Sequence, residues 1–286
     1  MVQEGQGRVS ITMNLKYKDT RFWLGAKNLK FSFNYYIFDK LSKYILRRKN
    51  FRLIVVAGLK RSGNHAVLNW ILSQSKGHCL FWNHIDPNQY PTDRHRREYR
   101  IKSPFEMPTV IFSYEDREIN DIFNGELFKF ISYHHEKIHD RHFCIILREP
   151  KNMVASRFRK WEIEYLERDR IQKILSIYKS YSSAPFEKLP DESFEMTPVY
   201  FDDFISSSSH RDAVSDRLGI RRGIRGLNKV TSYGHGSSFS GTSKISSKDV
   251  LSRDSYFSDD PVFNELFSDD SLSAVAENYR SAAPRF

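Results

Sequence analysis

The chain has 286 residues, 40% of them apolar, and a formal net charge of +10. That length accommodates one large domain, or one domain with a small appendage, around a real hydrophobic core. Its two cysteines exclude a disulfide framework, and its ten scattered histidines show no metal-ligand spacing.

The positive excess is unevenly placed. Residues 1–50 carry 11 Lys/Arg against 3 Asp/Glu, whereas the stretch from 251 onward carries 3 against 7. The first fifty residues therefore read as a basic arm, and 51–286 as a single α/β domain. Such an arm suits an anionic membrane, an anionic glycan or nucleic acid, or it is simply a solvated face. No apolar h-region opens the chain and no run of 18 apolar residues occurs, so a cytoplasmic protein is expected. Within the arm, "FSFNYYIFDKLSKYILRRK" (31–49) is amphipathic and basic. It is expected to pack on the domain as an ordinary helix. The alternative is a peripheral contact with the inner face of a membrane.

From residue 51 strand-like and helix-like segments alternate. "FRLIVVAG" (51–58) is short, β-branched and ends in glycine, which marks a buried strand. Residues 64–75 place Val67, Leu68, Trp70, Ile71 and Leu72 at helical spacing. "HCLFW" (78–82) and "TVIFSY" (109–114) read as further strands, and 119–139 as a helix. "HFCIILR" (142–148) is another continuous apolar strand. Val154, Phe158, Trp161 and Tyr165 then form a helical stripe. "TPVYF" (197–201) is the last clear strand, and "RDAVSDRLGI" closes a helix at Gly219. Cys79 and Cys144 fall in the apolar strands, the setting of buried reduced thiols. This alternation predicts a parallel sheet covered by helices on both faces, with ligands at the carboxyl ends of the strands. Residues 83–108, polar and basic with four prolines, read as a long functional loop. Residues 229–260 are rich in Ser and Gly, and no internal repeat is present.

Two strand-to-helix turns carry chemistry. In "VVAGLKRSGNHAVLNWIL" (55–72), Gly58 and Gly63 allow a tight turn with inward N–H groups. A helix from Asn64 adds its positive end, and Lys60 and Arg61 add cationic donors. The loop suits an anion. A triphosphate loop of the form G-x-x-x-x-G-K-[ST] needs lysine at position 64 and a hydroxyl at 65; Asn64 and His65 stand there instead. In "CIILREPKNMVASRFRKW" (144–161), a strand ends on Arg148 and Ser156 follows one turn into the next helix. An arginine and a serine presented together make a pocket for a second phosphate.

Together the two stretches resemble the PAPS-dependent sulfotransferases, particularly the bacterial type. In that family the first loop binds the 5′-phosphosulfate of 3′-phosphoadenosine 5′-phosphosulfate; the matching residues are Arg61, Ser62, Gly63, Asn64 and His65, with Lys60 beside them. The second family motif, Arg-Asp/Asn-Pro followed by a serine, binds the 3′-phosphate; Arg148-Glu149-Pro150 with Ser156 matches its spacing. A weaker match, "VYFDDF" (199–204), implies that Phe201 lies near the adenine, and "GSSFSG" (236–241) is similar to a late loop of bacterial members. The departures are Asn64-His65 in place of Thr or Ser, and Glu149 in place of Asp or Asn.

The resemblance implies a P-loop-NTPase-like sheet in the sulfotransferase arrangement. It also implies metal-free, in-line sulfuryl transfer to an acceptor hydroxyl or amine. Arg61 would stabilise the leaving oxygen. The general base would be His84 or Glu115, each just past a strand end, with Asp86 and Asp116 as neighbours able to serve instead. The basic loop at 92–100 and the basic arm favour an anionic acceptor, a saccharide or lipid-linked glycan, and no nucleic acid is expected. Two other classes share some of these features. A P-loop kinase-like enzyme shares the first loop but leaves Arg148 and Ser156 without a role. A non-catalytic basic module for nucleic acid or membrane shares the arm but lacks recognition motifs.

Overall fold

The computed structural model describes residues 36–91, 96–161, 168–184, 188–227 and 247–268, with positions 274 and 279. Residues 36–48 form helix α1, which buries Phe38 and Ile45; Phe38 meets Trp82 edge-on with ring centroids 5.0 Å apart. Over its described part, the amphipathic segment is thus packed on the domain. The remainder of the basic arm lies outside the described residues.

Strand β1 (Phe51–Gly58) is followed by α2 (Asn64–Gln74), β2 (Cys79–Asn83), β3 (Arg96–Arg100) and β4 (Thr109–Glu115). Helices α3 (Ile119–Asn124) and α4 (Glu126–His134) lead to β5 (Ile138–Leu147), α5 (Pro150–Trp161) and α6 (Arg168–Ser183). Strand β6 (Glu195–Tyr200), α7 (Phe201–Ser206) and α8 (Ser208–Arg217) follow. Helix α9 (Ser247–Leu251), a 3₁₀ turn (Arg253–Phe257) and α10 (Pro261–Ser268) complete the described chain.

The six strands form one sheet in the order β3-β2-β4-β1-β5-β6. All neighbours run parallel except β3, which pairs antiparallel with β2 at the edge. Strand β1 is apolar throughout because it is central and covered on both faces. Leu53, Val55 and Ala57 face a core with Phe123, Phe130 and Phe158 of α3, α4 and α5. Ile54 and Val56 face the opposite core, with Val67, Leu68 and Ile71 of α2 and Phe204 and Val214 of α7 and α8. Cys79 and Cys144 are buried free thiols in that second core. The architecture is a mostly parallel α/β sheet flanked by helices, compatible with a P-loop-like fold. From β1 the chain crosses through α2 to β2 on one side, returns inward to β4, and then passes β1 to β5 on the other side. The loop after β1 therefore opens at the crevice where the strand order reverses.

Two expectations need correction. The helix read over 119–139 is broken at Gly125 and ends at His134, and β5 has begun by Ile138. Gly125 sits against Pro87, whose carbonyl accepts from Glu126 N at 2.8 Å; a Cβ at 125 would come within 2.3 Å of that oxygen. The crossing segment after β2 thus interrupts the helix. The long loop at 83–108 also contains strand β3, "RREYR". Its charges suit an edge strand, where they discourage further pairing, and for the same reason they hide it in a hydropathy reading. Among the described residues no helix is long and apolar enough to cross a membrane. The stripe residue Tyr165, the side chain of Trp161 and the "GSSFSG" loop lie outside the described residues.

Candidate anion-binding site

The carboxyl ends of β1, β2, β4 and β5 deliver all the residues singled out in the two motifs and both base candidates. The first loop turns tightly, with Ser62 N donating to Leu59 O at 3.0 Å, and hands over to α2 at Gly63. Gly63 has φ 92°, and the Phe201 ring lies 2.1 Å from where a Cβ would be built. Only glycine satisfies both the left-handed backbone and that approach. As the N-cap of α2 it offers no side chain to the first turn, whose N–H groups therefore have no side-chain cap; Ala66 N donates to Gly63 O at 2.9 Å. Ser62 is buried, and its Oγ has no hydrogen-bond partner among the described residues.

Among the described residues, three non-glycine residues have positive φ: Arg61 (73°), His84 (58°) and Asp116 (55°). Each sits just past the carboxyl end of a different strand: β1, β2 and β4. Strain of this kind is retained where surrounding structure enforces it, and it concentrates at ligand sites.

The surrounding structure here is a set of ties across strand ends. Asp116 Oδ1 accepts from Lys60 N at 2.9 Å and from Arg157 Nη2 at 2.5 Å, while Arg157 Nε donates to Lys60 O at 3.0 Å. The Lys60 ammonium lies 3.8 Å from Asp116 Oδ2. Asp116 therefore ties the first loop to the end of β4 and to α5. Asn64 is also inward. Its Nδ2 donates to Leu59 O at 3.1 Å and to Glu115 Oε1 at 3.0 Å. These bonds tie the loop to the end of β4, and Asn64 Oδ1 has no hydrogen-bond partner among the described residues.

Glu115 sits between two imidazoles. His84 Nδ1 is 3.5 Å from Oε2, and His65 Nε2 is 3.9 Å from Oε1. Burial pushes its carboxyl up, but hydrogen bonds from His84 and Asn64 and the field of His65 outweigh it and hold the group down at about 2. Such a carboxylate is a poor proton acceptor at neutral pH and a good anchor for an imidazole. His84, with a half-exposed side chain, is the member of the pair that reaches solvent.

Arg148 is only 1% exposed, at the end of β5. Its Nη1 donates to Arg61 O at 3.0 Å and to Ser156 Oγ at 3.2 Å, and its Nη2 donates to Val250 O at 2.6 Å. Its Nε has no hydrogen-bond partner among the described residues. Ser156 Oγ accepts from a second guanidinium, Arg253 Nη1, at 2.8 Å. Asn152 locks that arginine in place: its Oδ1 accepts from Arg253 N at 2.7 Å and its Nδ2 donates to Leu251 O at 2.9 Å. Burial lowers Arg148 to about 10; Asp202 opposes this and Arg61 adds to it. Burial, Arg148 and Arg61 lower Arg253 to about 9. Three arginines thus repel one another around a serine, and the hydrogen bonds of Arg148 run to carbonyls and a hydroxyl. Guanidinium groups gathered about one hydroxyl suit an anionic group chemically. Glu149 keeps the role of an N-terminal cap, since Asn152 N donates to its Oε2 at 2.7 Å.

Phe201 is buried against Gly63, with the Arg148 guanidinium carbon 5.4 Å from its ring centre. It packs between the two anion pockets. Further along the chain from His84 and Glu115, Pro87, Asn88 and Arg117 join Asp121, Asn124 and Gly125 in lining an open pocket of about 220 Å³. Asp86 pairs with Arg117 at its rim, 3.3 Å apart.

Sequence reasoning missed Arg253 and Arg157. Arg253 follows a Ser/Gly-rich segment with no motif around it and meets Ser156 across 97 positions. Arg157 stands next to Ser156 in the second motif, and that adjacency was its one available signal. No protein-family model matches the chain, and no curated protein matches it significantly.

Proposed function

We propose that the protein transfers a sulfuryl group from 3′-phosphoadenosine 5′-phosphosulfate to a hydroxyl or amine acceptor. One observation carries this reading: two anion pockets stand side by side and are joined by the Arg148–Arg61 hydrogen bond. A bisphosphorylated nucleotide has an anionic group for each. The 5′-phosphosulfate would occupy the first loop, against the N-terminus of α2, Lys60, Arg61 and the unsatisfied Ser62 hydroxyl. The 3′-phosphate would occupy the Arg148–Ser156–Arg253 pocket.

In the reaction the acceptor oxygen attacks sulfur as the bond from sulfur to the bridging phosphate oxygen breaks. Arg61 stabilises the charge growing on that oxygen, and 3′,5′-ADP departs. His84 takes the acceptor proton, and Glu115 holds the imidazole and stabilises its charge once protonated. The 220 Å³ pocket reached by the segments that follow His84 and Glu115 is the candidate acceptor site in this reading, since its amide, carboxylate and guanidinium lining suits a polyhydroxylated molecule such as a saccharide. Arg61→Ala should lower turnover by about 10²–10³-fold with the fold intact, measured as acceptor-dependent release of 3′,5′-ADP. Unchanged turnover would remove Arg61 from the mechanism.

The decisive experiment is calorimetric titration with 3′,5′-ADP, alongside 5′-AMP and Mg-ATP. The bisphosphate should bind without metal and 5′-AMP should not. Arg148→Ala and Arg253→Ala should each weaken binding by about tenfold or more, as expected when a charge-assisted contact to phosphate is lost. A preference for Mg-ATP, or binding indifferent to both arginines, overturns the proposal in favour of triphosphate chemistry.

A further inference from the structure

The amino edge of the sheet, opposite the anion site, carries a surface that this chemistry does not use. Three large apolar side chains protrude there: Phe105 (98% exposed), Ile224 (70%) and Ile101 (67%). The segments that bear them are tied together. A bridge joins Gly77 to Ser103. Lys102 Nζ donates to the carbonyls of Leu72, Ser73 and Ser75 at the end of α2. Arg221 N donates to Gln74 O, and Gln74 Nε2 donates to Arg225 O. Cys79 and Thr109, which begin β2 and β4, pair directly, so all three segments flank the amino ends of the strands.

Cations surround the protruding groups. Lys76, Arg221, Arg222 and Arg225 are exposed, and Arg100 and Lys102 are partly buried. Burial lowers the Lys102 ammonium, and Arg100, Arg221 and Arg225 add to the effect, so these charges share one neighbourhood. Among the described residues, four acids accompany the six cations: Glu98 on Arg100 at 2.5 Å, Asp216 on Arg222 at 2.6 Å, Asp212 also within the field of Arg222, and exposed Glu106. The surface is therefore net positive with an apolar crown.

Each partner class makes a different demand. Single-stranded nucleic acid wants aromatic faces on which bases stack, and two of the three protruding groups are aliphatic. An anionic bilayer matches both features at once. It takes small apolar groups into the boundary between headgroups and acyl chains, and its phosphates attract the surrounding cations. We propose that this amino edge docks on an anionic membrane surface. Phe105, Ile101 and Ile224 enter the headgroup layer, and Lys76, Arg221 and Arg225 lie on the lipid phosphates. The anion site then faces away from the bilayer. The proposal does not depend on the reaction assigned to that site.

Co-sedimentation of the full chain with vesicles tests it. Phosphatidylcholine vesicles should bind weakly, and vesicles with about one-third phosphatidylglycerol strongly. Binding should fall by about tenfold or more in Phe105→Ser/Ile224→Ser, in Arg221→Gln/Arg225→Gln, and on raising salt from about 0.1 M to about 0.5 M. These side chains project into solvent, so thermal unfolding of both variants should match the parent. The proposal fails if both variants bind like the parent, which would place the contact in the basic arm. It fails equally if vesicles are not bound, or if a single-stranded polynucleotide is bound in preference to them.

Discussion

Glu115 illustrates how neighbours, rather than exposure, decide what a carboxyl group can do. It is buried, which by itself favours the neutral acid, yet Asn64, His65 and His84 keep it ionised at about 2. The folded value lies below the ordinary 4.5, so its contribution to stability is complete above that value and disappears as pH falls toward 2. Glu115→Gln removes this dependence. Between pH 7 and pH 3 the parent should lose about 2 kcal/mol more stability than the variant, read from thermal unfolding at each pH. The same variant should turn over more slowly and lose less in 3′,5′-ADP affinity than in turnover, because an amide oxygen can still accept from Asn64 Nδ2. At this scale the motifs were legible wherever one residue type was tied to one position, as with Gly63 and Arg148. The contact between His84 and Glu115 was not legible. It depends on 3.0–3.9 Å contacts among residues from three separate segments.

At the scale of elements, the strand-to-helix turns after β1 and β5 were readable because apolar runs ended on glycine or arginine. Their rigidity was not readable, since it comes from Asp116 at the end of β4 and Arg157 on α5. Asp116→Ala removes the acceptor shared by Lys60 N and Arg157 and places alanine at φ 55°. Breaking a largely buried ion pair costs about 3 kcal/mol or more. Denaturant unfolding should show a loss of that size, and 3′,5′-ADP affinity should fall with it; a change confined to stability would mean that the loop keeps its shape unaided. Strand β3 and the break at Gly125 escaped the sequence for related reasons. One is a charged edge strand, and the other is set by the distant carbonyl of Pro87. Neither leaves a mark in local periodicity.

For the whole molecule, a basic arm joined to an α/β domain was the sequence-level picture. The described end of that arm is α1, packed into the core beside Trp82. Phe38→Ala should therefore cost about 3–5 kcal/mol, as for any large buried aromatic, and lower the midpoint of unfolding of the entire domain. If residues 36–48 were an independent appendage, the variant would unfold like the parent.

The adjacency of β1 and β5 has one more consequence. Their register places Gly58 beside Ile146, so the turns that end them leave the sheet one strand spacing apart, about 4.8 Å. Backbone pairing fixes that interval, and the Arg148–Arg61 hydrogen bond reinforces it. Under the proposed function the two pockets would be held at a fixed spacing. A nucleotide with anionic groups on both the 3′ and 5′ sides of the ribose would then be selected by where its charges sit as well as by their number.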